Sequence, residues 1–332
     1  IIFDLWRKDT KDLLFQLPIP STAGYDAQAP SVNIGEMMNQ GVDLLVAFRG
    51  NLTSDFTYDI SVNGSLLKNE IVSLAPGLDF ITSANANPDF RGIQPIRNFV
   101  GQSLSSFFGY EVVGLFSSAD DVDNHATQDF AAPGRFKYRD INGRDEEGNL
   151  TGMPDGKIDA DDRKTLGSPI PDFTGGMNFT LGYKGFDLSA YLYTSIGNEI
   201  WNQSKWFTDF YSTFEGAATS ERLKDAWTPQ NLNATIPIVE KAANSATSSV
   251  GNSFYVEDGS YLRLQNVTLG YTLPPSLLER WRLERLRVFA SANNLFTITG
   301  YEGLDPAVGG DADLTFGIDV GNYPVTRGYT FG

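Results

Sequence analysis

Apolar and polar residues alternate with a period of two along several segments, and this pattern restricts the fold more than any other feature. Every second residue is apolar at 42–48, 56–62, 177–183, 186–192 and 267–273. Because the side chains of a β-strand point alternately to its two faces, each segment is predicted to be a strand with one apolar face. The pattern predicts an all-β chain built from antiparallel strands.

Turn-forming residues separate these segments. Residues 51–54 and the pair Lys184-Gly185 each lie between two alternating segments, and Pro274-Pro275 ends another. Asn63-Gly64 also has the composition of a hairpin turn. We further expect a short helical or turn segment at 276–281 and a last strand that begins near Pro324.

Long polar stretches at 73–98, 117–171 and 201–252 separate the predicted hairpins. Short turns at one end of the strands and long loops at the other are typical of outer-membrane barrels. The longest apolar candidate, 42–48, is interrupted by Asp43 and falls far short of the roughly 18 residues that a membrane helix needs. Alternation alone leaves a membrane barrel and a soluble all-β protein equally open.

The composition excludes several classes of protein. The 332 residues include 25 basic and 41 acidic residues, giving a net charge of −16, with no cysteine and one histidine, His125. Such an acidic chain lacks the basic groove that nucleic-acid phosphates require, and thiolate metal sites and cysteine nucleophiles are excluded. No carboxylate pair or nucleophile motif is distinctive, so we expect no catalytic residue and no enzyme. His125 is expected to be a solvated side chain.

One long block of the sequence resembles a known family. Residues 261–306 contain two strand-like motifs joined by a short helical turn. The matching residues are Leu262, Leu264, Asn266-Val267-Thr268-Leu269-Gly270-Tyr271, Pro274, Asn294-Leu295-Phe296, Tyr301, Gly303 and Asp305-Pro306. Upstream matches in the same order include Tyr138-Arg139-Asp140, Gly167-Ser168-Pro169 and Trp227-Thr228-Pro229. Together they resemble the C-terminal region of SusC-like TonB-dependent outer-membrane transporters.

This resemblance implies a fold and a function. Residues 1–332 would be the C-terminal part of a transmembrane antiparallel β-barrel of about 22 strands, of which this chain would supply about ten. An acidic extracellular loop is expected at about 117–170, and the family's plug domain and TonB box would lie N-terminal to this segment. The function would be import of a glycan or peptide across a Bacteroidetes-type outer membrane. Its partners would be a SusD-like surface lipoprotein, TonB-ExbB-ExbD and membrane lipid.

In such a barrel the two sets of alternating side chains would meet different surroundings. The set expected to face lipid is Phe179, Leu181, Leu188, Leu192, Val267 and Leu269. The set expected to face the lumen is Asn178, Thr180, Asp187, Ser189 and Thr268.

The acidic stretch also contains a candidate calcium loop. Without residues 144–154, it reads D-x-N-x-D-G-x-I-D-x-x-D, the order of ligands in an EF-hand-type loop. The predicted ligands are Asp140, Asn142, Asp155, the Lys157 carbonyl, Asp159 and Asp162, with Ile158 turned inward as an apolar anchor. The alternative is an acidic surface loop in which Asn142-Gly143 and Asp155-Gly156 only form turns.

Aromatic residues concentrate in and beside the third long stretch. They are Trp201, Trp206, Phe207, Phe210, Tyr211 and Phe214. These rings could stack on sugars, form a girdle at the membrane interface or pack within the loop. The alternative function for the whole chain is a soluble all-β cell-surface module that binds glycans in a Ca²⁺-dependent way.

Overall fold

The computed structural model describes residues 1–16, 31–74, 77–82, 90–210, 224–310 and 315–332. Most regular structure in these residues is β-strand. Within the same ranges, no helix has both the length and the apolar character needed to cross a membrane.

The strands differ in length from two residues to more than twenty. In chain order they are β1 (Ile2–Gln16), β2 (Ser31–Asn51), β3 (Phe56–Leu74), β4 (Phe80–Thr82), β5 (Arg97–Phe99), β6 (Phe107–Tyr110), β7 (Val112–Leu115), β8 (Thr127–Gln128), β9 (Phe136–Tyr138), β10 (Lys157–Ile158), β11 (Arg163–Gly167), β12 (Phe173–Tyr183), β13 (Phe186–Ile196), β14 (Glu199–Asn202), β15 (Val256–Asp258), β16 (Tyr261–Thr272), β17 (Arg287–Thr299), β18 (Ile318–Asp319) and β19 (Gly328–Phe331). The α-helices are α1 (Ala119–Asp123), α2 (Ser204–Thr208) and α3 (Pro275–Leu278). Short 3₁₀ helices span Ala160–Asp162, Ser253–Tyr255 and Glu279–Trp281.

Eight long or terminal strands form one sheet in the order β1-β2-β3-β12-β13-β16-β17-β19. Every neighbouring pair is antiparallel. In the described part of the chain the sheet therefore contains eight strands rather than the ten expected, and the remaining strands form small separate sheets. Its two edge strands are β1 and β19.

The register places the alternating residues on two distinct faces. One row across the sheet consists of Phe48, Ile60, Phe179, Ala190, Val267, Ala292 and Tyr329. The adjacent row, on the opposite face, consists of Arg49, Asp59, Thr180, Ser189, Thr268, Ser291 and Thr330. Each of the two predicted sets thus lies on one face of the sheet, as expected. We call these faces the apolar face and the polar face.

Two of the predicted turns illustrate how local signals succeed and fail. Lys184 and Gly185 have φ values of 46° and 88° and join β12 to β13, as a tight hairpin turn requires. Asn63-Gly64, also predicted as a turn, lies inside β3, and that prediction is wrong. A Cβ on Gly64 would come within 2.9 Å of the Phe173 ring, so this glycine makes room for a neighbouring strand's side chain.

The sheet has short connections at one end and long connections at the other. Residues 52–55, Lys184-Gly185 and a short helical segment containing α3 close the first end, the last as predicted. The connections after β3, β13 and β17 leave the opposite end, and we call their described residues the loop body. The last strand begins at Gly328, four residues after the predicted position, because 320–327 form a bend and irregular backbone.

The loop body has its own core. Its buried side chains are Phe90, Ile93, Ile96, Phe107, Phe136, Tyr138, Trp201, Phe210, Tyr255 and Ile318. All three long connections contribute, and β14 pairs with β15 on one side and with β18 on the other. These connections therefore fold together as one packed unit beside the sheet.

Candidate functional site at the polar face and the acidic loop

Tyrosine side chains lie on the polar face where the sheet meets the loop body. Tyr193 lies opposite Arg263 and Ser195 lies opposite Tyr261, and the two tyrosine rings are 5.9 Å apart. Both rings are partly exposed. A tyrosine offers an apolar ring face and a hydroxyl, so the pair can contact both a sugar ring and a peptide.

Tyr191 extends this surface toward the middle of the sheet. A Cβ on Gly176 would lie 3.1 Å from the Tyr191 ring and 2.8 Å from the Asn63 side-chain oxygen. Glycine at this position therefore lets the ring and the amide lie close against β12. The sequence places Tyr191 and Tyr193 in the polar set of their strand, but only the pairing with β16 brings Tyr261 beside them.

Hydrogen bonds between strands order the polar face beside these tyrosines. The Asn266 amide donates to the Asn293 side-chain oxygen at 2.8 Å, and the Thr268 and Ser291 hydroxyls are 2.8 Å apart. Such cross-strand pairs stabilise a sheet while leaving lone pairs and donors for a ligand. This face can therefore bind polar groups without reorganising its strands.

A buried ion pair fixes the loop body to the sheet. Arg263 of β16 donates to Asp305 at 2.6 Å, and both side chains are largely buried. Asp305 also accepts hydrogen bonds from the backbone amides of Ala307 and Val325. Burial raises the pKa of Asp305, but these donors outweigh it and hold the pKa below its usual value. The Asp-Pro match at 305–306 thus has a structural role.

The structure brings the two halves of the predicted calcium loop together across the insertion. Asp140 accepts hydrogen bonds from the backbone amides of Asp155 and Gly156, at 3.2 and 2.8 Å. Asp162, 1% exposed, accepts from the amides of Ile141, Asn142 and Asp159. The sequence order of the motif therefore corresponds to spatial proximity.

The same oxygens already have partners in the protein. Asn142 accepts from the Gly152 amide at 2.7 Å, Asp155 from the Lys157 amide at 2.9 Å, and Asp159 caps the 3₁₀ helix at Ala160–Asp162. Among the described residues, which include all of 140–162, no three acidic or histidine side chains are grouped so as to hold a metal. Calcium binding stays a prediction, while Ile158 packs against the loop-body core as expected.

The aromatic residues around 201–214 pack within the loop body. Trp201 is 0% exposed and stacks on Tyr255 at 5.1 Å, and Phe210 is also buried. Trp206 packs against the same core and donates to the Ser248 carbonyl at 3.0 Å. Tyr211 and Phe214 lie outside the described residues. The packing alternative is therefore correct for Trp201, Trp206 and Phe210.

His125 is not the solvated side chain expected from the sequence. Its Nε2–H donates to the Tyr138 carbonyl at 2.9 Å, and its ring meets Phe116 edge-on at 5.3 Å. Burial lowers its pKa below the usual 6.5. The acidic residues near it in the sequence did not reveal this partly buried position.

Comparisons with known proteins match this fold. No family model matches the chain. TonB-dependent receptor P3 of Formosa agariphila is 35% identical over 99% of the chain, and SusC of Bacteroides thetaiotaomicron is 27% identical over 99%. The chain covers 31% and 29% of these two relatives.

A solved structure gives the same result. The structure of the RagAB peptide transporter superposes with a TM-score of 0.75 at 25% identity, covering 99% of this chain and 32% of that one. These relatives are receptors and transporters rather than enzymes. Over the roughly one third of their length that it spans, the chain belongs to the SusC-like TonB-dependent receptors of the outer membrane.

Proposed function

We propose that this chain is part of the wall of a closed outer-membrane barrel that imports a bulky nutrient by TonB-dependent transport. The open edges at β1 and β19 would pair with further strands of a barrel of about 22 strands. Closure satisfies every backbone group, which a strand edge in lipid cannot do.

The apolar face supports this proposal. Large side chains on it are solvent-exposed in the chain alone, for example Phe48 at 59% and Leu269 at 52%. At the short-turn end of the same face, Phe56 pairs with Tyr183 and Phe186 with Tyr271. Lipid would cover the aliphatic rows, and the aromatic pairs suit the girdle at a membrane interface.

The polar face would line the transport path. The surface formed by Tyr191, Tyr193 and Tyr261 at its loop end would contact an oligosaccharide or peptide on entry. A SusD-like lipoprotein would cover the loop body from outside the cell, and TonB-ExbB-ExbD would supply energy through other parts of the protein. The loop body would then be extracellular.

The single observation that carries this proposal is the separation of the sheet into one apolar and one polar face across the seven strands from β2 to β19. A soluble glycan-binding module, the alternative considered from sequence, would leave the apolar face in water at a large free-energy cost. In a barrel wall, lipid would contact the apolar face and the aqueous lumen would contact the polar face.

Uptake in the native host tests the function. Deletion of the gene should abolish growth on one class of oligosaccharide or peptide from a panel, and the intact gene should restore it. Restoration with a gene carrying Tyr193→Ala and Tyr261→Ala should give slower uptake at equal surface abundance. Tyr323→Ala, at an exposed loop position, is the control. Normal growth of the deletion strain on the whole panel would contradict the proposal.

Affinity purification of the full-length protein from outer membranes tests the partner. A surface lipoprotein should co-purify in about equal amount and dissociate when the loop body is cut by protease. Recovery of the transporter without any lipoprotein, under conditions that preserve growth on the nutrient, would contradict that part of the proposal.

A further inference from the structure

Two arginines line one small cavity in the loop body. The cavity has a volume of about 170 Å³ and lies between β6, β11 and residues 92–94 and 249–251. Arg97 and Arg163 contribute to its wall together with Phe108 and Tyr110, and none of its lining residues is acidic. This is unusual in a chain with 41 acidic and 25 basic residues.

Aromatic rings hold the two guanidinium groups in place. Arg97 lies between Phe80 and Phe108, with its guanidinium carbon 4.4 and 4.2 Å from the two ring centres. Arg163 lies 5.7 Å from the Phe108 ring centre and 6.0 Å from that of Tyr110. Stacking on ring faces fixes a guanidinium while leaving the N–H donors at its edge free for other groups.

The hydrogen-bonding capacity of these arginines is largely unused by the described part of the chain. The buried Nε of Arg97 has no hydrogen-bond partner there, and neither arginine forms an ion pair with a described residue. Arg163 donates from Nε to the Ala160 carbonyl at 3.1 Å. In contrast, Arg135, Arg263 and Arg287 each have a carboxylate partner.

The electrostatics of the cavity favour an anion. Burial, and then the charge of Arg163, lower the pKa of Arg97 to about 10. Arg97 and Arg163 therefore repel each other, and no acidic side chain lines the cavity between them. An anion between them would offset both the burial and the repulsion.

We propose that this cavity binds an oxyanion, the carboxylate or sulfate group of a solute, through the edges of Arg97 and Arg163. Carboxylates and sulfates match the forked donors of a guanidinium, and the cavity has room for such a group. The site is separate from the tyrosine surface on the polar face, and its test does not depend on transport.

The test uses the full-length protein in detergent. Crystals soaked in sodium selenate, a heavy stand-in for sulfate, should show an anomalous peak in the cavity within hydrogen-bond distance of both arginines. Calorimetric titration with sodium sulfate and with sodium acetate, at matched ionic strength, measures the affinity for each group. The tighter of the two identifies whether sulfate or carboxylate is the preferred ligand.

Substitutions test whether anion binding depends on the side chains of Arg97 and Arg163. Arg97→Gln and Arg163→Gln should each weaken binding about tenfold or more, since each removes a charge-assisted hydrogen-bond donor. Arg97→Lys should bind with intermediate affinity because it keeps the charge and loses the fork. Arg49→Gln, at an exposed arginine already paired with Asp59, should bind like the unaltered protein.

Two results would overturn the proposal. One is an empty cavity at saturating selenate in well-ordered crystals. The other is equal affinity in the unaltered protein, Arg97→Gln and Arg163→Gln, each shown to be folded by heat-modifiable migration on a gel. If Arg97→Gln fails to fold, Arg163→Gln alone decides, because its backbone pairing in β11 does not involve the side chain.

Discussion

The eight-stranded sheet and the loop body use their aromatic side chains in opposite ways. In the loop body, Trp201 and Tyr255 are fully buried and stack on each other, as in the core of a soluble domain. In the sheet, Phe48 and Tyr329 are 59% and 60% exposed and lie in one apolar row. Loop-body aromatics are stabilised by packing within the protein, while those of the sheet require an apolar surrounding from elsewhere.

This contrast shows why alternation alone cannot separate a membrane sheet from a soluble one. Both regions contain β-strands with apolar side chains, although the strands of the large sheet are longer. The two regions differ in what covers their apolar side chains. In the loop body the long connections cover them, whereas the described residues leave many side chains on the apolar face of the sheet exposed. The following predictions test whether the two regions depend on different surroundings.

The largest effect is expected from removing the centre of the loop-body core. Trp201→Ala should destabilise the loop body by about 3–5 kcal/mol, because it deletes a fully buried ring and leaves a cavity. Limited proteolysis of intact membranes should then cut within 90–260, while heat-modifiable migration still reports a folded sheet.

The control for this change is Trp281→Ala, at a tryptophan that is 61% exposed beside α3. It should leave protease resistance of the loop body unchanged. If Trp201→Ala unfolded sheet and loop body together, the two regions would be a single cooperative unit and the comparison would fail.

A charge on the apolar face should have the next largest effect. Phe179→Arg, in the middle of β12, should cost about 2–4 kcal/mol if lipid covers this face. Thr180→Arg, one residue further and on the polar face, should be tolerated. Folding yield into lipid vesicles of the full-length protein measures both.

Single cysteines on the two faces give an independent measurement of the same comparison. The native chain has no cysteine, so labelling reports only the introduced site in this segment. Cysteine at Ser189 or Thr268 should react with a membrane-impermeant maleimide, whereas cysteine at Leu188 or Leu269 should be protected. Equal labelling of the two pairs would contradict the assignment of lipid and lumen.

A smaller effect is expected from pH near His125. Because its pKa is lowered by burial, the unfolded chain binds the proton more tightly than the folded one. The stabilising contribution is complete above the ordinary pKa of 6.5 and is lost as the pH falls through the folded value. The hydrogen-exchange protection factors at 117–138, which are corrected for the intrinsic pH dependence of exchange, should fall between pH 7.5 and 5, with no change in those of β12 or β13.

His125→Gln is the matched variant, since glutamine keeps a donor for the Tyr138 carbonyl and does not titrate. Its protection factors should be the same at both pH values. An equal loss of protection in the variant would show that another group causes the pH dependence.

The sequence predicted the parts of the fold that depend on local signals. Lys184-Gly185 lies between two alternating segments, and the turn follows from backbone preferences and pattern together. The same type of signal failed at Asn63-Gly64, because the Phe173 ring from another strand occupies the space above Gly64. A contact between distant strands of that kind cannot be recognised from the residues that flank Gly64 in the sequence.

The site was predicted less completely for the same reason. The order of acidic residues indicated that Asp140 and Asp155 would lie together, and they do. The tyrosine surface and the Arg97–Arg163 cavity depend on pairings between distant strands, so no local motif could reveal them. Trp201 was recognised as aromatic, but its burial follows from β14 pairing with β18, more than 100 residues away.

The smallest effect is expected from Ca²⁺ at the acidic loop, which belongs to the loop body and not to the sheet. If Ca²⁺ binds at Asp140, Asn142, Asp155, Asp159 and Asp162, it should have oxygen ligands at about 2.3–2.6 Å and protect 139–163 from protease. Asp155→Ala should abolish that protection. Without calcium, the variant should be as sensitive to protease as the unaltered protein, because the substitution removes only one exposed hydrogen bond, the one donated by the Lys157 amide. Asp145→Ala, an exposed acidic residue within the insertion, should keep the calcium effect. Protection that is independent of calcium in the unaltered protein would show that the backbone amides already satisfy these carboxylates. The sheet should be unaffected in every case, because the loop lies outside its strands.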